Sequence, residues 1–235
     1  MSKRIPRILA ALLICALPLI VTAQTRASVG LALSMGTINA EGQQAMGSFV
    51  LVSFYVPTLE PEYKQDVKVV VRGPAGWNRG QPLEFEVAEV APAEGYWSFT
   101  GAEDVPLLSG KYSAEAVIDG KPLRSEISVD ATQRLEVPQI QSIQSSGSSL
   151  SLRWRSVKGA EVYRVGIYDA DGNELAWATS ADAEEAFAGL ELKVGISHYA
   201  QVIAFSHDPN FSVEQFAQLP SQVNVAYDLE EFSLK

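Results

Sequence analysis

The stretch Gly159–Leu175, GAEVYRVGIYDADGNEL, decides the fold class. Tyr163, Val165 and Ile167 alternate with Val162, Arg164 and Gly166, and Asp171-Gly172 then breaks the run. Successive side chains of a strand point to opposite faces, so a period of two gives one buried and one wet face. Asp-Gly between alternating runs marks a hairpin, because the favoured tight turn needs positive φ. The stretch reads as a strand, a turn and a returning strand.

The same period runs outward on both sides. Leu150, Leu152 and Trp154 alternate with Ser151, Arg153 and Arg155. Val67, Val69 and Val71 alternate with Lys68, Val70 and Arg72. Tyr112, Ala114, Ala116 and Ile118 line one face of a run that ends at another hairpin signal, Asp119-Gly120. Beyond it Leu123, Ile127 and Val129 oppose Arg124, Glu126 and Ser128. Ser48–Val56 is apolar on both faces and reads as a central strand. Helical signal is confined to one or two turns at Asp182–Ala188 and one at Ser212–Leu219. Short strands bounded by turn residues specify an all-β chain of sandwiches or barrels.

A length of 235 residues admits one or two domains. A hairpin closes before Arg134–Pro138, and a new extended segment with a serine loop opens after it. We therefore expect two tandem β-sandwich domains, 24–135 and 136–235, the second with a short C-terminal tail. Residues 1–23 read as a secretory signal peptide: Lys3, Arg4 and Arg7, an apolar Ile8–Val21, and a small-residue cleavage site ending at Ala23. The apolar run is 14 residues, short of the roughly 20 that span a bilayer. The expected location is secreted, periplasmic or cell-surface, with no membrane span after cleavage.

Composition narrows the functions. Lys and Arg number 18 against 28 Asp and Glu, a charge of −10. The leader carries three cations and no acids, so its removal takes the charge to −13. Acidic surface opposes nucleic-acid binding, which needs cations to neutralise phosphates. The single cysteine, Cys15, lies in the leader. The exported chain would have no disulfide and no Cys-based metal site.

The second half, Val137 to about Asp228, resembles a fibronectin type III domain. Pro138 precedes a first strand, and SLSLRW (149–154) supplies a second strand ending in tryptophan. Gly159–Leu175 matches the third strand and its hairpin. FAGLELKVGISHYAQVIAFS (187–206) matches the family's leucine, loop, tyrosine and long penultimate strand. Asn224, Val225 and Tyr227 fall in the last strand. The resemblance implies that Trp154 and Tyr163 are core aromatics and that Tyr199 is the tyrosine corner, its hydroxyl bonded back to backbone. The first half looks immunoglobulin-like on PLLSGKYSAEAVIDGKPLRSEISV (106–129), with Tyr112 in the corner-like place.

Catalytic constellations are sparse. No G-x-S-x-G elbow occurs, and the histidines are His198 and His207 alone. Glu84 and Glu86 share a strand face at roughly 7 Å, the spacing of an inverting acid/base pair. The same alternation is what the wet face of an ordinary strand shows. Asp169–Glu174 looks faintly like a calcium loop but is too short for one, and turn chemistry accounts for it. We expect no enzyme activity, no cofactor and no metal.

Binding residues are sought in loops, where function concentrates. Ser206–Gln222 is longer than the fold requires and holds His207, Asp208, Asn210 and Phe211. Phe211 and Phe216 equally suit pinning that loop to the domain. Asn210-Phe211-Ser212 is a formal glycosylation sequon. GPAGWNRGQ (73–81) places Trp77 and Asn78 in a Gly/Pro-rich turn, and EGYWSFTG (94–101) adds Tyr96, Trp97 and Phe99. Exposed aromatics offer flat faces for sugar rings, whereas buried ones are ordinary sheet packing. The expected function is an exported, non-catalytic interaction or structural protein that binds another protein through loop or strand surfaces. The alternative is a carbohydrate-binding module using the aromatics of the N-terminal half. The partner is thus a protein or a glycan.

Overall fold

A computed structural model of the chain describes residues 30–40, 47–55, 67–87, 105–118, 120–207 and 222–234. The strands of the first half are β1 (Gly30–Ala40), β2 (Gly47–Tyr55), β3 (Val67–Arg72), β4 (Leu83–Val87), β5 (Gly110–Ile118) and β6 (Lys121–Val129). Those of the second are β7 (Ile140–Ser146), β8 (Ser149–Trp154), β9 (Val162–Tyr168), β10 (Glu174–Ser180), β11 (Glu184–Phe187), β12 (Ser197–Phe205) and β13 (Val225–Ser233). A single short 3-10 turn, Trp77–Gly80, breaks the strand pattern among the described residues. The protein is all-β.

In the second half the sheet β11-β8-β7 packs on the strands β10-β9-β12-β13. The residues whose alternation predicts burial build that core: Leu150, Leu152 and Trp154 face Tyr163, Val165 and Ile167, with Ala200, Val202 and Ala204 beside them. In the first half β4-β3-β5-β6 packs on β1 and β2. Val69, Val71, Tyr112, Ala114, Ile127 and Val129 meet Leu33, Met35 and Val50 there. The order β4-β3-β5-β6 repeats the order β10-β9-β12-β13, so both halves use one sandwich plan.

The two halves share a sheet. β1 pairs in parallel with β13, through Ile38↔Val225, Asn39↔Ala226 and Ala40↔Tyr227. This gives a continuous six-stranded sheet, β10-β9-β12-β13-β1-β2. One end of it covers the second core and the other covers the first. Polar side chains clamp the junction. Gln222 accepts from the Asp130 backbone N–H at 2.9 Å and donates to its carbonyl at 2.9 Å. The Asn224 side-chain oxygen, buried, accepts from the Thr37 backbone N–H (3.3 Å), the Thr37 hydroxyl (3.1 Å) and Gln222 (3.2 Å). Asn39 donates to the Leu135 carbonyl at 3.0 Å, and Leu135 itself packs in the second core.

Several sequence expectations change. Asp182–Ala188 is not helical: Glu184–Phe187 forms β11 and pairs with β8 from Arg153 to Leu150. So short a segment cannot repay helix nucleation, whereas the β8 edge offers a ready ladder and Phe187 a place in the core. Among the described residues β2 pairs with β1. Tyr112 does behave as a corner: its hydroxyl donates to the Leu108 carbonyl at 2.7 Å and accepts from the Leu108 N–H at 2.9 Å. Tyr199 does not. The inward phase of β12 is His198, Ala200, Val202, Ala204, so Tyr199 points to the opposite face beside Tyr168. His198 takes the inward place, 3% exposed, bonded to the Ile196 carbonyl at 3.0 Å and stacked on Phe232. The signal peptide, Tyr96, Trp97, Phe99 and Ser212–Leu219 lie outside the described residues.

Candidate interaction surface

Trp77 is a core residue. It is 2% exposed and meets Tyr112 edge-on, with ring centres 5.2 Å apart at 85°. Gly73 lies so close that a Cβ there would fall 2.6 Å from the indole. An indole packed this way has no face left for a sugar, so the platform expected at Trp77 is absent. The turn that inserts it runs through left-handed backbone: Gly76 at φ 86°, Asn78 at 44°, Arg79 at 56° and Gly80 at 79°. Asn78 donates to the carbonyls of Gln81 (3.2 Å) and Pro82 (3.4 Å), so its amide serves the turn.

His207 caps the end of β12, where its Nδ1 lies 2.9 Å from Glu161 Oε1. This contact ties the end of β12 to the loop before β9, alongside a Glu161 N–H to Phe205 carbonyl bond of 2.9 Å. Asp208, Asn210 and Phe211 lie outside the described residues. His198 and His207 flank opposite ends of β12, about 30 Å apart at strand rise. They cannot share one site. Glu84 pairs with Lys68 at 2.5 Å on an exposed face. The Asp169 carboxylate accepts from the N–H groups of Asp171 (2.9 Å) and Asn173 (2.8 Å) and from the Asn173 amide (2.8 Å). These bonds, the Asn173 side chain foremost, hold its pKa below the usual carboxylate value. Its oxygens organise the hairpin. No group of three or more His, Cys, Asp and Glu gathers among the described residues.

A further polar cluster among the described residues carries no signal in the alternation pattern. It lies on the outer face of β9, β10 and β12, opposite the second core. Arg164 lies over the Trp177 ring at 5.0 Å and bridges Glu174 at 3.1 Å. The Tyr168 hydroxyl lies 3.4 Å from Glu174 and 3.3 Å from Gln201, whose side chain is buried. Burial first, and the Glu174 charge second, push the Tyr168 phenol up to about 12. Gly166 makes room: a Cβ there would fall 2.5 Å from the Tyr168 hydroxyl. Trp177 remains 37% exposed and Leu175 41% exposed. The signal for this cluster is the residue type in ELAWATS (174–180), where Trp177 stands in the wet phase between two alanines. A large aromatic on the solvent face of an edge strand is the exception to look for.

Sheet order, a shared core plan and the inward tryptophan give the chain a fibronectin type III-like fold. Solved structures similar to the chain include the following. A two fibronectin type III domain segment from chicken tenascin is 12% identical, covering 88% of this chain and 99% of that one, at a TM-score of 0.32. The FN1–FN3 domains of chicken CNTN1 are 15% identical, covering 89% and 69%, at 0.34. A biofilm associated protein BSP domain is 13% identical, and the match covers 88% of this chain but 29% of that one, at 0.28. No family model and no curated protein matches the chain.

Proposed function

We propose an exported, non-catalytic interaction or structural protein of the cell envelope or extracellular space, with domains 24–135 and 136–235 held as one rigid unit. The observation that carries this reading is the sheet shared through β1 and β13. Beads on a flexible linker vary their angle, and relative motion is the default for small interfaces. Backbone pairing backed by Gln222, Asn224 and Thr37 opposes that motion. Surfaces at the two ends then keep a fixed separation, which suits spacing or presenting a partner protein. Binding falls to strand and loop surfaces, the Trp177 face and the His207 end among them. The glycan alternative loses its main support with Trp77 in the core.

The test is expression of the full chain in a secretion-competent host, followed by fractionation and mass analysis. The expected product lies outside the cytoplasm, begins at Gln24 and retains envelope or extracellular protein on a column. A cytoplasmic product with residue 1 intact, or a column that retains nothing at any salt concentration, counts against the reading.

A further inference from the structure

The geometry points to a partner for β10: a second copy of this chain, added edge to edge in antiparallel register about a twofold axis at Ala178. This deepens the reading of the chain as an interaction protein working through strand surfaces, and rests on it.

Among the described residues β10 ends the six-stranded sheet and pairs with β9 alone. An edge strand presents unpaired N–H and C=O groups, so its natural occupant is another strand. Three of the other described edges carry charge, whereas β2, at the far end of the same described sheet, carries neither charge nor proline. β6 has Lys121, Pro122, Arg124 and Glu126, β4 has Glu84 and Glu86, and β11 has Glu184 and Glu185. β7 is uncharged but wholly polar or aliphatic, and the N–H of its first residue is taken by Asp228 at 2.8 Å. From Leu175 to Ser180 β10 has no charge and no proline, and it shows Leu175 and Trp177 to solvent.

The strand is also self-complementary. A bulge falls between Glu174 and Ala176, and Ala176–Ser180 is regular. A twofold axis at Ala178 uses this regular segment in full. Ala178 meets its own copy, Ala176 meets Ser180 and Trp177 meets Thr179. On the outer face this makes two aromatic–β-branched pairs, a favourable cross-strand combination. On the other face small residues meet small residues, so the backbones approach without obstruction. Within Ala176–Ser180 no charge opposes a like charge across the seam, and Arg164 behind Trp177 is already neutralised by Glu174. A foreign strand would satisfy the same backbone groups, but nothing in β10 specifies one, whereas the strand's own sequence meets the requirement twice over.

The experiment is sedimentation of the full chain across a hundredfold concentration range, with disulfide trapping of the register. The expected result is a concentration-dependent rise from monomer to dimer mass. Because each copy carries −10, raising the salt should tighten the dimer by screening repulsion. Trp177→Thr and, independently, Thr179→Lys should weaken it at least tenfold, with the circular dichroism of the folded monomer retained. In a Cys15→Ser background, Ala178→Cys should give a disulfide dimer, since paired Cα atoms at about 4.5–5.5 Å lie in bonding range. Ala176→Cys should not, its two copies being about 13 Å apart in this register. A chain that stays monomeric throughout, or a dimer indifferent to both variants, overturns the proposal. A monomer that is still exported and retains envelope protein leaves the wider interaction reading standing while removing this partner.

Discussion

Arg79 holds φ at 56° directly after Asn78 at 44°, and neither is glycine. An L-residue in left-handed backbone sets Cβ against carbonyl oxygen at a cost of roughly 1–2 kcal/mol. Asn78 offsets part of this with its own turn bonds. Arg79 is exposed and gains nothing comparable. Arg79→Gly should therefore raise stability by up to about 1 kcal/mol, after the entropy cost of glycine in the unfolded chain. Arg79→Val should lower it. Thermal melts of the pair against the parent check the order. Tyr168 supports a prediction of different sign. Its phenol is raised from 10 to about 12, so the folded state holds the proton more tightly than the unfolded one. The associated stability is complete below pH 10 and is lost as pH rises through about 12. Ultraviolet titration should show a late phenol that Tyr168→Phe removes, and denaturant melts of that variant should lose less stability across the same window. These two residues differ in how legible they were. Arg79 lies in an obvious turn whose handedness no periodicity reveals. Tyr168 was plainly part of a strand, but its phenol is raised by burial and by Glu174, which the β9–β10 hairpin folds back beside it.

At the scale of elements, alternation made β3, β5, β6 and β8 readable, because each has one buried and one wetter face, and β9 readable through its turn. It failed where that contrast is weak. Glu184-Glu185-Ala186-Phe187 has one apolar anchor and helix-compatible residues, and only the adjacent β8 makes it a strand. In β12 both phases are largely apolar, since Ile203 and Phe205 are buried on the face opposite Val202 and Ala204. The choice between Tyr199 and His198 for the inward place was then decided by packing. Turn chemistry was the more reliable guide: Asp171-Gly172 does close the β9–β10 hairpin, with Gly172 at φ 86°. Asp169 holds that hairpin through the Asp171 and Asn173 N–H groups. Asp169→Ala should leave the fold intact while speeding hydrogen exchange at both amides. Added calcium should change neither the parent nor the variant, because the carboxylate is engaged by N–H donors; slowed exchange on calcium addition would restore the metal reading.

At the scale of the molecule, the shared sheet should make the two halves one thermodynamic unit. β1 contributes Leu33 and Met35 to the first core while its far end pairs with β13, whose Ala226 lies in the second. Unfolding either sandwich removes part of the other's sheet. Nothing in the sequence announced this, since a parallel pairing of residues so far apart leaves no local pattern. The buried tryptophans of the two cores allow it to be measured. Trp77 reports the first and Trp154 the second. Variants of the full chain that retain one or the other should show coincident fluorescence transitions in denaturant, the signature of a single cooperative step. Asn224→Ala should separate them. It removes the acceptor that Thr37 and Gln222 share and leaves the Thr37 N–H buried without it. Such a loss costs about 1–3 kcal/mol, and it falls on the junction rather than on either core. Coincident transitions in the variant as well would mean that backbone pairing alone couples the halves. Separate transitions in the parent would show that the sandwiches fold independently, and the rigid-spacer reading would then fail with them.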